Sequence, residues 1–262
     1  MRYVCFIVLV MMLGCKSAGP VASGVSPAAA DPWTYGPAWA ALWQQRAGEY
    51  RALCLQAYRA AGERVEEMRH QQTLRPRAIV TDIDETILDN SPYSASVALA
   101  GKGWSQASWE AWTKKAVADP VPGALEFFRF AAQSGFTIYY ITNRLESERA
   151  ATLQNLQRAG FPGADNEHLL LSSGNSDKAP RRQEVAKKYE IAMLVGDNLN
   201  DFSDIFYKQP ADVRNAKVDE VQQELGRRYI LIPNAMYGDW LSALVPKGAR
   251  PDSVLRRAIR VQ

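Results

Sequence analysis

The residues best suited to chemistry in this chain are acids set two or four apart. Asp82 and Asp84 flank one residue, Asp197 and Asp201 flank three, and Thr142-Asn143-Arg144 and Lys178 lie between the two pairs. Four carboxylates gathered in one crevice repel one another unless a cation sits among them, and hard oxygen donors suit Mg²⁺. Mg²⁺ in turn keeps waters and engages phosphates. Lys178 and Arg144, the cations of these clusters, could neutralise the oxygens of a phosphoryl group. Neither His70 nor His168 falls in a cluster, which argues against a histidine nucleophile or a zinc site. No G-x-x-x-x-G-K-[ST] and no G-x-S-x-G occurs, so P-loop ATP binding and the usual serine-hydrolase layout lack support.

These clusters need a scaffold, and the sequence supplies one. Short apolar runs at 77–82, 136–142, 168–172, 191–197 and 229–234 predict strands, alternating with helices over about 124–134, 146–159 and 179–189. That alternation predicts a doubly wound parallel sheet with helices on both faces, where ligands bind beyond the carboxyl ends of the strands. Asp82 and Asp84 follow the first strand, Thr142-Asn143-Arg144 the second, and Asp197 and Asp201 the fourth. Lys178 precedes the helix before that fourth strand. Singly, each cluster has an ordinary reading as turn residues or helix caps; three clusters at three strand ends outweigh it.

Upstream, Pro37 to about His70 reads as one or two amphipathic helices. Trp43, Ala47, Tyr50, Cys54, Ala57, Ala61, Val65 and Met68 form a stripe that assigns Cys54 to core packing. Residues 93–118 read as helical and carry Trp104, Trp109 and Trp112, the last two spaced as on a buried helix face. Arg181-Arg182, Lys187-Lys188 and Arg256-Arg257 read as solvated helix faces.

The 262 residues suit one large domain or a core with a smaller companion, and 47% hydrophobic content is enough for a real core. A formal net charge of +3 argues against a nucleic-acid binder that relies on a basic surface. The opening MRYVCFIVLVMMLGC has Arg2, an apolar run and Gly14-Cys15. That layout is a secretory signal and resembles a bacterial lipoprotein signal, in which Cys15 receives lipid. The Ala-, Gly-, Ser- and Pro-rich stretch after it suits a tether. Lys16 favours the outer membrane by the same resemblance. With Cys5 removed and Cys15 lipidated, Cys54 alone remains and no internal disulfide can form.

Asp82-Ile83-Asp84-Glu85-Thr86 matches the D-x-D-x-T signature of the haloacid dehalogenase-like (HAD) phosphatases. IVTDIDETILDNSPY with LVGDNLNDF resembles the class C acid phosphatases, which are bacterial surface lipoproteins. Further matches are Trp109 and Trp112, PGALEFF, ITNR, the Lys178-to-Arg181 spacing and PNAMYGDW, so the likeness covers roughly 77–240.

The resemblance implies a HAD-like α/β core with a smaller, mainly helical domain. The organisation expected is a signal peptide over 1–14, a tether over 15–35 and helices of the smaller domain over 36–76. The core then covers 77–92 and 120–240, with a helical cap insertion at 93–119 and a C-terminal segment over 241–262. It implies that Asp82 attacks phosphorus to form an aspartyl-phosphate. Asp84 protonates the leaving oxygen and then takes a proton from water. Residues two apart on an extended segment point the same way, which lets both serve one phosphorus. By the same likeness Mg²⁺ is held by the Asp82 carboxylate, the Asp84 backbone carbonyl and Asp197, with Asp201 binding through water or orienting that shell. Thr142 and Asn143 hold phosphoryl oxygens and Lys178 balances charge.

The substrates implied are phosphomonoesters, especially 5′- and 3′-nucleotides, with Tyr93, Tyr237 and Trp104 stacking on the base. Packing of the helical domain is the other reading of those rings. Supporting roles are left to Glu85 and Arg144. Two alternatives stay open: a sugar-phosphate phosphatase or phosphotransferase with the same chemistry, and a non-enzymatic nucleotide-binding surface lipoprotein. A homo-oligomer is also left open.

Overall fold

The computed structural model describes residues 32–245 and 251–259. The expected leader, Cys15 and the tether up to residue 31 lie outside the described residues. Two helices come first, α1 (Pro32–Arg46) and α2 (Gly48–Arg69). α2 buries Tyr50, Cys54, Tyr58, Ala61, Val65 and Met68 at spacings of three and four, the stripe of a helix lying on a core.

The chain then runs through β1 (Arg77–Thr81), β2 (Leu88–Asp89), α3 (Ser91–Leu99), α4 (Gln106–Thr113), β3 (Asp119–Pro120) and α5 (Ala124–Gln133). β4 (Thr137–Leu145), a 3₁₀ turn at Glu146–Glu148, α6 (Arg149–Ala159), β5 (Leu169–Ser172), α7 (Ala179–Lys188) and β6 (Glu190–Gly196) follow. Two more 3₁₀ turns, Leu199–Asp201 and Asp204–Phe206, lead to α8 (Ala211–Glu220), β7 (Tyr229–Leu231), α9 (Asp239–Leu244) and α10 (Pro251–Ala258).

Five strands form one parallel sheet in the order β5-β4-β1-β6-β7. The chain builds outward from β1 through β4 to β5, then returns to the other side of β1. That reversal makes the carboxyl end of β1 the crevice where α/β sheets bind ligands. Side chains alternate across the sheet. Ile79, Ile138, Tyr140, Met193 and Val195 face a core shared with α2 and with Phe127, Phe128 and Ala131 of α5. Ala78, Val80, Tyr139, Ile141 and Leu194 face Val185 of α7 and Phe202. A fully buried side chain such as Phe128 contributes roughly 1.5–3 kcal/mol through this burial. β2 and β3 pair as a small antiparallel ribbon.

Two sequence expectations are corrected here. Residues 93–118 do not form one helical stretch: α3 ends at Leu99 and α4 starts at Gln106. Gly101, at φ +64°, turns the chain between them. Thr142-Asn143-Arg144 belong to β4 itself rather than to the loop after it. β4 outruns β1 because it continues past an irregularity to pair Leu145 with Ser172.

Candidate active site

The loop after β1 is sorted by polarity. Ile83, Ile87 and Leu88 drop into the core, and the Ile83 carbonyl accepts the amides of both Ile87 and Leu88 at 2.9 Å. Glu85, at φ +59°, makes the left-handed turn that this tight return needs. Asp82 extends the β1–β6 pairing by donating its amide to the Val195 carbonyl at 2.9 Å. Its side chain therefore follows Ala78 and Val80 onto the face covered by α7.

Lys178 caps the start of α7 and meets Asp82 there. Its Nζ donates to Asp82 Oδ1 and, at 2.6 Å, to Asp201 Oδ1. Asp201 also accepts the Asn198 amide on Oδ2 at 3.0 Å, which closes the turn after β6. Asp197, directly beyond β6, accepts from Asn234 Nδ2 at 2.7 Å and from Thr86 Oγ1 at 3.2 Å. Carboxylate oxygens of Asp82, Asp197 and Asp201 lie within 4.8 Å of one another.

Crowding leaves its mark on these acids. Burial pushes the Asp82 carboxyl above its ordinary range; Lys178 opposes the shift, while Asp201 and Asp84 reinforce it. Burial and the charges of Asp201 and Asp82 drive Asp197 the same way. Burial would lower Lys178, but Asp201 and Asp82 outweigh it and hold the ammonium in its charged form. Three carboxylates facing one lysine make an all-oxygen, net-negative donor set that fits a divalent cation of the Mg²⁺ type.

Asp84 lines the same cleft but faces different partners. Arg144 holds it with Nη2 at 2.7 Å and Nε at 3.1 Å from Oδ1 and 3.2 Å from Oδ2. Asn90 Nδ2 donates to Oδ1 at 2.9 Å, and the Thr142 hydroxyl reaches Oδ2 at 3.4 Å. The buried Arg144 also donates to Thr152 Oγ1 at 3.1 Å and lies 5.8 Å from the centre of the Trp109 ring. Residue types alone suggested four carboxylates around one cation with Arg144 beside a phosphoryl group, while the family likeness offered the metal only the Asp84 backbone carbonyl and left Arg144 a supporting role. The structure gathers the carboxylates of Asp82, Asp197 and Asp201 and commits Arg144 to Asp84. Two charges of that size buried in contact are stable only as a hydrogen-bonded pair.

The rest of the site is held from α7 and the strand ends. Arg181 donates to the Thr142 carbonyl and, at 2.9 Å, to Asn143 Oδ1. Arg182 reaches the carbonyls of Asn200 and Asp201 at 3.0 and 3.2 Å. This pair is therefore not a solvated face; Arg182 is buried, and both fasten the loops that carry the site. Thr142 is buried with its hydroxyl toward Asp84, whereas Asn143 is exposed at the wall of the cleft.

The cleft encloses about 680 Å³. Asp82, Asp84, Lys178, Asp197 and Asp201 line it together with Tyr93, Trp104, Trp109, Met236, Tyr237 and Leu241. Tyr93 is buried, its hydroxyl 2.8 Å from Ser108 Oγ and its ring edge-on to Trp109 at 5.1 Å. Trp104 is 64% exposed. Tyr237 buries its hydroxyl without a hydrogen-bond partner among the described residues.

Sequence reasoning gave no role to Asn90, Thr86 or Asn234, although Thr86 closes the D-x-D-x-T signature. Asn90 lies in Asp89-Asn90-Ser91-Pro92, a run of turn-forming residues after the first acidic pair, and Asn234 ends the last apolar run, so each stands where a strand-end reading could have found it. Glu85 is fully buried and accepts the Asn90 amide at 2.8 Å. Burial and the charges of Asp84 and Asp197 push its carboxyl well above the usual range.

Residues 20–240 match the family model of the HAD superfamily, subfamily IIIB (acid phosphatase). The class C acid phosphatase of Bacillus anthracis, solved with tungstate bound, is 36% identical with a TM-score of 0.83, covering 87% of this chain and 98% of that one. Another structure of that protein gives 36% identity and a TM-score of 0.84, over 88% and 99% of the two chains. Acid phosphatase 1 of Solanum lycopersicum is 26% identical over 134 residues, 48% of this chain and 51% of that protein. The stem 31 kDa glycoprotein of Glycine max is 25% identical over 164 residues, 60% of this chain and 62% of that one. The chain thus spans only about half to three-fifths of these two curated relatives.

Proposed function

Because the chain belongs to the acid phosphatases of HAD subfamily IIIB, we propose that it hydrolyses phosphomonoesters, nucleotides foremost, through a phosphorylated Asp82. One observation carries this reading. Asp82, Asp197 and Asp201 converge within 4.8 Å on the lining of an open cleft, with Lys178 bridging the first and last.

In the first displacement an Asp82 oxygen attacks phosphorus as the bond from phosphorus to the leaving oxygen breaks. Asp84, ionised in its pair with Arg144 and protonated before this step, gives that proton to the leaving oxygen, so the alcohol departs neutral. In the second, Asp84 takes a proton from water as the water oxygen attacks phosphorus. The bond to Asp82 breaks, releasing inorganic phosphate and restoring both residues. Acid–base help of this kind is worth about 10²–10⁴ in rate. Lys178 fixes the nucleophile and offsets charge that builds on the phosphoryl oxygens.

Asp82, Asp197 and Asp201, with the Asp84 backbone carbonyl, would hold Mg²⁺. The ion when bound offsets repulsion among the acids and polarises a phosphoryl oxygen. The tungstate of the Bacillus anthracis structure is a tetrahedral oxyanion like phosphate, which supports the same ligand class here. Trp104 and Tyr237 on the cleft support a nucleobase, since stacking contributes ~1–3 kcal/mol per base whatever its identity. Gly14-Cys15 supports a lipid anchor on Cys15, and Lys16 supports a location at the bacterial outer membrane.

The test is hydrolysis of a chromogenic phosphomonoester and a panel of nucleotides, sugar phosphates and glycerol phosphate. Turnover is expected with Mg²⁺, to stop with chelator, and to favour nucleotides. Asp82→Asn is expected to fold and lose turnover; comparable turnover by that variant removes Asp82 as nucleophile.

A further inference from the structure

We propose that Asn90 is a positioning residue for the acid–base Asp84, and that the indole of Trp112 sets the direction in which its amide works. This rests on the phosphatase reading and adds to it.

Asn90 is fully buried and every one of its polar groups is engaged, its backbone carbonyl accepting the amides of Tyr93 and Ser94 at 3.0 and 3.2 Å. The backbone amide donates to Glu85 Oε1 at 2.8 Å, which fixes the residue at the start of α3. Oδ1 accepts from Trp112 Nε1 at 2.8 Å. Nδ2 donates to Asp84 Oδ1 at 2.9 Å, with longer approaches to the Leu88 carbonyl at 3.4 Å and Glu85 Oε2 at 3.5 Å.

An asparagine amide can face either way, and chemistry decides here. An indole nitrogen only donates, so the atom beside it must be the amide oxygen. The N–H₂ is thereby turned toward a carboxylate, which only accepts when ionised. Reversal would set oxygen against carboxylate and N–H against N–H, two unmade hydrogen bonds in a dry place. Trp112 thus acts on Asp84 through Asn90. The consequence falls on one oxygen: Arg144 Nη2 and Asn90 Nδ2 both draw on Oδ1, at 2.7 and 2.9 Å, whereas Oδ2 has contacts only at 3.2 and 3.4 Å. Losing the Asn90 bond frees the carboxyl to turn about the Arg144 fork.

A misplaced acid harms only leaving groups that need a proton. p-Nitrophenolate departs without one, whereas an alkoxide does not. The readout is therefore kcat/KM, which covers the first displacement, for p-nitrophenyl phosphate and for a simple alkyl phosphate. The full chain, kept in detergent, is compared with Trp112→Phe and Asn90→Asp. Trp112→Phe, which keeps a ring but removes the N–H, is expected to lose about ten-fold or more on the alkyl ester and less than about two-fold on the aryl ester. Asn90→Asp is expected to show the same split, enlarged.

Equal losses on both esters, or no loss on the alkyl ester, overturn the proposal. If Asn90→Asp fails to fold, Trp112→Phe alone decides. Hydrolysis of neither ester by the unmodified chain overturns the phosphatase reading, and this proposal with it.

Discussion

Asp201 occupies the space that a side chain on Gly196 would need. A β-carbon there would overlap Asp201 Oδ2 and Cβ and stand 2.7 Å from Cγ. β6 therefore ends on a residue without a side chain, and the carboxylate folds back over it to meet Lys178. Gly196→Ala is expected to displace Asp201, lower stability by about 1–3 kcal/mol as overpacking does, and cut turnover ten-fold or more. Denaturant unfolding and a phosphomonoester assay check both; wild-type values in each would sink the argument.

Arg144 and Asp84 form a pair whose arginine side chain is 1% exposed and whose aspartate is 16% exposed. Deleting one partner of such a pair leaves a buried charge without compensation, at about 3–5 kcal/mol. Arg144→Ala is expected to lose stability on that scale in urea. Arg144→Lys keeps the charge but cannot span both oxygens, so it is expected to recover much of the stability and little of the activity. Equal activity in the lysine variant and the wild type would show that the fork is dispensable.

Glu85 gives the apo protein a pH dependence. Its carboxyl is held well above the ordinary glutamate value of 4.5 by burial and by Asp84 and Asp197. Between the two values the folded chain binds more protons than the unfolded one, so stability falls as pH rises. Asp82 and Asp197 shift upward as well and add the same sign. In chelator, the melting temperature is expected to drop from about pH 4.5 toward neutral, and Glu85→Gln is expected to flatten the drop. A melting temperature that climbs over this range would contradict the assignment.

The sheet was legible because its strands are short apolar runs flanked by polar turns, and a strand buried on both faces has little other sequence available to it. The acids were legible for a related reason: a loop at a sheet's carboxyl edge is where polar residues can collect. Pairings across the fold were not. Arg144 and Asp84 are 60 positions apart, and nothing in either segment tells whether an arginine at a strand end will bind substrate or neutralise a neighbour. Arg182 looked solvated because its own helix gives it no partner; its partners are carbonyls of a turn 18 and 19 residues away. The break between α3 and α4 was visible as Gly101 and Gly103, but the helical reading ran on through them to Trp104, Trp109 and Trp112.

β1 lies in the middle of the parallel sheet, with β4 on one side and β6 on the other, and the amide of Asp82 is tied to Val195. An amide so placed exchanges with solvent only when the sheet itself opens, whereas α3 and α4 are short helices joined by a glycine-containing turn. Deuterium should therefore enter the 100–105 turn and its flanking helix ends long before it enters the nucleophile's backbone. The turn that carries Trp104 can therefore loosen while the strand that carries the nucleophile stays closed.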